Sequence, residues 1–405
     1  MRRRHLVSIL YQVHSWLGLA CGLFILMVSL SGAALVYHDE LDLWWHQGQL
    51  KVAPQGERLS LDSLITTLRS RYPDASAVGM VRIPGVRDQA WGFRLYDLGH
   101  PHDQVHAADL YAVDIDPYTG RIVREGSYRS LSVPMQWVHL FHYSLLAGTW
   151  GVLILALVCI TVFTSLLTGV IVFRRHLLDA LRFRIPLRGA GWRRATSGLH
   201  RLVGVWALVF TLLIFYSGFE MVWDVFSPSG WGFPAIRPPL GPPRASVERM
   251  YRQTLARWPG FVPTYVYVPF EEGDSVIVSG DVPGTPLLIM RGASRMAFDP
   301  HTGFGVAYDI NAQTLLTRLS ASTYSFHVGS FAGRWSRAAY VFIGLLPGAL
   351  SITGFLLWWR RTRRSRRDRE PRRPGDRDGA EPRSQRLRRV LDIDRDTPVI
   401  HRLSR

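Results

Sequence analysis

His14 and His200 open two long apolar runs, and His142 and His327 stand just ahead of two others. Ionisable side chains in such segments are rare and usually functional. Their surroundings recur. His14 and His200 are each followed by a Gly four residues on (Gly18, Gly204) and later by Ser-Gly (Ser31-Gly32, Ser217-Gly218). His142 and His327 each lie in the frame F-H-x4-A-G-x-W and are followed by Thr-Gly (Thr168-Gly169, Thr353-Gly354), shortly before Arg-Arg. Two imidazoles facing one another across a symmetry axis can hold a metal between them. In an apolar helical bundle, two such pairs point to bis-histidine haem iron. At 3.6 residues per turn, Gly18 and Gly32 fall on the His14 face and Gly204 and Gly218 on the His200 face, leaving room for a flat macrocycle. Gly32 and Gly218 lie about 27 Å along their helices, towards the level of the second pair. A bare metal such as zinc, or close helix packing through Gly and Ser, would use the same residues.

Other side chains fit less regularly. His139 lies one turn before His142, but the equivalent place in the other half is Tyr324, so it is a substitute ligand or lines the site. His38 ends the first apolar run without an equivalent. Arg201 beside His200 and Arg334 near His327 are candidates to pair with haem propionates, and equally serve as interface cations. His100, His102 and His106, with Asp103 and Asp109, read as a solvated polar loop ahead of a metal site. No catalytic side chain is assigned. Cys21 and Cys159 lie inside apolar runs, which excludes a disulfide framework or a Cys-rich metal site.

Positioning these groups requires membrane helices. Ser15 to Tyr37, Gly151 to Phe173, Leu202 to Trp223 and Ala338 to Trp359 are each long enough for a hydrocarbon core of roughly 30 Å, and only Glu220 is charged within them. The first run is longer than a secretory signal's apolar core and reads as a retained helix. The net charge of +17 is concentrated in Arg2 to Arg4, the loop containing Arg174, Arg175, Arg182 and Arg184, and the stretch from Arg360 onward. An even-numbered bundle puts these on one side, so both termini are expected in the cytoplasm. Topology accounts for the charge, and no nucleic-acid partner is expected.

The chain divides into residues 1–37 (first span), 38–135 (outside module), 136–175 (second span, its first turns outside) and 176–195 (cytoplasmic loop). It continues through 196–223 (third span), 224–325 (linker and second module), 326–361 (fourth span) and 362–405 (basic tail, expected disordered). Each module reads as α+β: an amphipathic helix (Leu59 to Leu68; Val247 to Leu255) ending at Tyr72-Pro73 or Trp258-Pro259, then alternating strands. Asp116-Pro-x-Thr-Gly and Asp299-Pro-x-Thr-Gly mark matching turns. The offset between equivalents stays between 183 and 186 residues. A tandem repeat of helix, outside module and helix follows, with a pseudo-two-fold axis along the membrane normal.

The repeated helix-module-helix, the H-x3-G and F-H-x4-A-G frames, the T-G…R-R exits and the D-P-x-T-G turns resemble the PepSY-associated transmembrane helix family over about residues 5–361. The nearest resemblance is to bacterial inner-membrane ferric-siderophore reductases. It implies an α-helical membrane protein of four spans, two periplasmic PepSY modules, and haem b, two groups, carried on His14, His200, His142 and His327. It further implies reduction of a ferric siderophore or other Fe(III) chelate in the periplasm, releasing Fe(II). Some relatives carry a fused flavodoxin-like or ferredoxin-reductase-like domain that is not read in this sequence, which leaves open a cytoplasmic or quinol electron donor. Two other expectations stand beside this one: a non-catalytic membrane protein whose modules bind a peptide, peptidase or sensor partner, and a haem reductase serving another periplasmic acceptor.

Overall fold

The computed structural model describes residues 2–46, 48, 50–83, 87–96, 111–127, 134–185, 191–226, 243–270 and 273–367. In the first half, α1 (Arg2–Leu35) leads into α2 (His38–His46), and α3 (Leu61–Arg71) precedes β1 (Ala77–Arg82), β2 (Trp91–Tyr96), β3 (Tyr111–Ile115) and β4 (Ile122–Ser127). The chain returns through α4 (Pro134–Ser144) and α5 (Gly148–Phe173) to a short α6 (Leu177–Leu181). In the second half, α7 (Gly191–Trp206) and α8 (Leu208–Met221) are followed by α9 (Val247–Arg257), β5 (Val262–Pro269), β6 (Val276–Asp281), β7 (Ser294–Phe298) and β8 (Gly305–Tyr308). Last come α10 (Leu315–Ser320), α11 (Thr323–Val328) and α12 (Gly333–Arg367).

Three helices, α1, the one beginning with α5, and α12, are long and apolar enough to cross a membrane. The pair α7 and α8 passes the same test jointly, with a 62° bend at their junction. This is a membrane protein. α1 packs along α5, and α5 along α8. Val158, Cys159, Val162 and Phe215 form a buried cluster there, with Phe24, Ile25 and Val28 of α1 against it.

Outside the bundle, the strands form one antiparallel sheet in the palindromic order β4-β3-β2-β1-β5-β6-β7-β8. The two small sheets expected from the sequence are thus halves of a single one. β1 and β5 join them, with Val78 opposite Val268 and Met80 opposite Val266. β1 escapes sequence inspection because Ala77 to Met80 are all buried, so the polar alternation of a half-exposed strand is missing. One face carries Val78, Phe93, Val113, Val266, Val278 and Phe298 into a common core with Leu64 and Leu68 of α3 and Val247 and Met250 of α9. Leu64 and Leu68 are 0% exposed, and burying each side chain stabilises by about 2 kcal/mol. Gly79 presents hydrogen where a Cβ would lie 2.7 Å from the Tyr265 hydroxyl, so the Tyr265 ring lies flush on the opposite face. There its hydroxyl is 2.8 Å from that of Tyr96.

The helices α3 and α9 cap one another. Ser60 and Ser246 serve as N-caps, as expected for Ser60. The acid in each first turn serves the other helix: Asp62 accepts from the Val247 N–H at 2.7 Å, and Glu248 accepts from the Leu61 N–H at 3.0 Å. Each carboxylate thus meets the positive end of the opposite helix. Glu248 also accepts two hydrogen bonds of 3.0 Å from Arg58 and one of 2.9 Å from Arg252. The two Asp-Pro-x-Thr-Gly turns match, Gly120 and Gly303 each having φ of 71°.

The membrane helices depart from expectation at their outer ends. The continuous helix expected over 136–175 is interrupted after Ser144, where Leu145 (φ 51°), Leu146 (φ 59°) and Gly148 (φ 57°) turn left-handed. Gly151 permits the tight break, since a Cβ there would lie 1.7 Å from the Ser144 carbonyl oxygen. In the second half the break runs from Gly329 (φ 69°) to Gly333 (φ 62°). The A-G of F-H-x4-A-G-x-W therefore restarts a helix, and the preceding histidine rides a separate short one. The helix expected over 196–223 is likewise bent, at Ala207, and α12 runs to Arg367, beyond the expected end at 361. The loop with His100, His102 and His106, most of the 227–243 linker and the tail from 368 lie outside the described residues.

Burial opposes ionisation of Glu248, but the hydrogen bonds from Arg58, Leu61 and Arg252 outweigh it and hold the carboxyl below its usual 4.5. Its stabilisation is therefore present above that value and lost as pH falls through the lowered one. Glu248→Gln is expected to destabilise the outer part by about 2–4 kcal/mol, because it leaves Arg58 without its counter-charge. Thermal unfolding of the full chain should show a lower midpoint at pH 7, with the gap from wild type closing under acid.

Candidate functional site

The four recurrent histidines meet in two pairs. His14 on α1 and His200 on α7 have ring centroids 6.4 Å apart, and His142 on α4 and His327 on α11 have centroids 6.0 Å apart. Two imidazoles bound in line to one metal through Nε2, with nitrogen–metal bonds of about 2 Å, stand with their centroids about 6 Å apart. Both pairs have that spacing.

Each Nδ1 is held from behind. The Ser31 hydroxyl lies 2.9 Å from His142 Nδ1 and donates its own proton to the Met27 carbonyl. Ser217 lies 3.1 Å from His327 Nδ1 and donates to the Leu213 carbonyl. Thr353 lies 2.8 Å from His200 Nδ1 and donates to the Ala349 carbonyl. A hydroxyl has one proton, and in each case the helix's own backbone takes it. The hydroxyl can then only accept, so the histidine carries its proton on Nδ1. His14 Nδ1 meets the Ser165 carbonyl at 2.9 Å, which forces the same tautomer. All four Nε2 atoms thereby keep a free lone pair, as metal-binding histidines do.

The glycines following these hydroxyls seat the rings. A Cβ on Gly32 would lie 2.9 Å from His142 Cε1, and one on Gly218 would lie 3.0 Å from His327 Cε1. The corresponding distances are 3.1 Å from Gly169 to His14 Cε1 and 3.5 Å from Gly354 to His200 Cε1. This corrects the expectation for Gly32 and Gly218. They lie at the second pair, as their place along the helix implies, but the room they leave is taken by an imidazole rather than by a flat macrocycle. Gly18 does keep open space, with nothing within 4 Å of its missing Cβ. The holding is reciprocal: α1 offers His14 to the Thr168-Gly169 step of α5 and receives His142 on its Ser31-Gly32 step. The four Ser/Thr-Gly steps are visible in the sequence. Which histidine each one holds depends on helix pairing, which the sequence does not display.

The remaining candidates are placed differently. His139 faces His38 at 6.4 Å between centroids and has no part in the symmetric pairs. Arg201 donates its Nε–H to the Ser197 carbonyl of its own helix at 3.2 Å. Arg334 is exposed and its guanidinium lies over the Trp335 ring, 5.3 Å from the centroid. The Arg94 guanidinium, on the face of β2 away from the core, lies within electrostatic reach of His139, one turn before His142.

Among the described residues no group of three or more His, Cys, Asp or Glu is placed to hold a metal ion. A four-coordinate ion bound by side chains alone therefore has no site built for it there. Two neutral imidazoles about 6 Å apart between apolar helices suit a metal that brings its own equatorial ligands. The donor set fits haem iron.

No curated protein matches the chain. The family described as the PepSY-associated TM region matches residues 11–361. This covers the paired histidines, the sheet and the membrane helices, and the chain belongs to that family.

Proposed function

We propose that this protein is a two-haem electron conduit of the bacterial inner membrane that reduces a ferric siderophore or similar Fe(III) chelate in the periplasm. In this reading it has four spans, α7 and α8 forming the bent third, in two tandem repeats about a pseudo-two-fold axis. The basic loop and both termini face the cytoplasm. The observation that carries the reading is the doubled imidazole pair, with centroids about 6 Å apart in both, every Nδ1 committed and every Nε2 left with a free lone pair.

His14 and His200 would hold one haem b near the basic side, and His142 and His327 a second beneath the sheet. Haem supplies the one-electron redox chemistry when bound. The chain's own part is to fix the ligand tautomers, exclude water with the Val158, Cys159, Val162 and Phe215 cluster, and keep the outer pair next to the sheet face carrying Arg94, Tyr96 and Tyr265. Iron(II) is a softer ion than iron(III) and is held less tightly by hard oxygen chelators, so reduction frees it. Arg201 and Arg334 are the candidate cations for haem propionates. The electron donor is a cytoplasmic protein or a quinol.

Protein purified from haem-replete cells should give paired α and β absorption bands on dithionite reduction; a featureless spectrum would overturn the proposal. His142→Ala or His327→Ala should halve the haem content and abolish reduction of ferric chelates. His14→Ala or His200→Ala should remove the other half. Gly32→Val, which drives a side chain into the His142 ring, should reproduce the loss of the outer haem without touching a ligand. Ser31→Ala and Thr353→Val free the Nδ1 protons of His142 and His200. Removing such outer partners costs about 10–100-fold in metal affinity, so haem should be lost faster to an apo-globin acceptor, from the outer and inner pair respectively.

A further inference from the structure

A third pair of imidazoles stands at the outer end of the bundle and takes no part in the conduit. His38, the first residue of α2, and His139, one turn before His142 on α4, have ring centroids 6.4 Å apart. This is the spacing of the other two pairs. His139 is exposed and His38 half-buried, so neither ring is enclosed by protein. The pair belongs to one half only: Asp224 and Tyr324 occupy the equivalent positions. Symmetry therefore does not explain it.

The chemistry differs from that of the symmetric pairs. Three residues along a helix amount to about 4.5 Å, too little to seat a second macrocycle beside one held by His142. An ion completing its sphere with water needs no such room. Imidazole suits divalent iron, nickel, copper and zinc, whereas iron(III) prefers hard oxygen donors. The Arg94 charge nearby weakens the hold of the pair on a cation and so favours its release.

We propose that His38 and His139 form a divalent transition-metal site, open to water, that receives Fe(II) as it leaves the chelate. That the ion is iron rests on the function proposed above; that two imidazoles bind a divalent ion here does not.

The test uses the full chain in lipid nanodiscs, with its purification tag removed and Co²⁺ as the probe, by isothermal titration. Wild type should bind one Co²⁺ more than His38→Asn, or bind it at least 10-fold more tightly, while the haem bands of His38→Asn stay at wild-type intensity. His139→Tyr, which installs the residue of the other half, should lose the same binding and guards against misfolding of the first variant. Identical titrations for wild type and both variants would overturn the site, as would loss of haem from His38→Asn. A wild-type chain devoid of haem would refute the conduit yet leave the Co²⁺ comparison to stand or fall by itself.

Discussion

A hydroxyl group has a single proton, and inside an α-helix the carbonyl one turn back takes it. Ser31, Ser217 and Thr353 all lie in that situation, and each is left able only to accept. An imidazole pressed against such an oxygen must turn its N–H towards it. The lone pair on Nε2 is then left free. Much of the membrane architecture serves this constraint: a Ser or Thr inside each helix, a Gly beside it so the ring can approach, and a second helix bringing the histidine to the step.

The broken helices follow from the same need. A histidine on an uninterrupted α5 would sit on that helix's own axis direction and face. Carried instead on α4, it is set independently of the membrane helix, and the left-handed residues at 145, 146 and 148 make the offset. α11 and Gly329 to Gly333 do the same for His327. Above them, the reciprocal capping of α3 and α9 and the pairing of β1 with β5 tie the halves together, so the outer imidazoles face one another beneath a continuous sheet.

Much of this was legible in the sequence, because apolar run length, Arg placement and recurrent frames are one-dimensional signals. The four histidines, the turns at Asp116 and Asp299 and the N-cap at Ser60 are of that kind. Other features depend on which elements become neighbours. β1 hid because both its faces are covered, and the joining of the two sheets hid with it. Gly32 looked like clearance for a flat macrocycle and instead seats an imidazole, since helical periodicity reports a face and is silent on what packs there. The break after Ser144 rests on positive φ at two leucines, which nothing in leucine's preferences announces. His139 broke the pattern of the halves, and its neighbour His38 became apparent only when α2 folded back on α4.

The palindromic sheet also sets an order of events during synthesis. β1 to β4 emerge early, whereas β5 begins at Val262, with α5, α7 and α8 made in between. Until β5 is made, β1 has one partnered edge and one open edge, a row of N–H and C=O groups without strand partners, flanked by Val78 and Met80. The seam that later unites the molecule is, for a time, its adhesive margin. Two nascent chains side by side could exchange β5 strands across it, giving an interlocked dimer by domain swapping. The burial of Ala77 to Met80 that marks the finished centre of the sheet therefore also marks where assembly is most exposed to error.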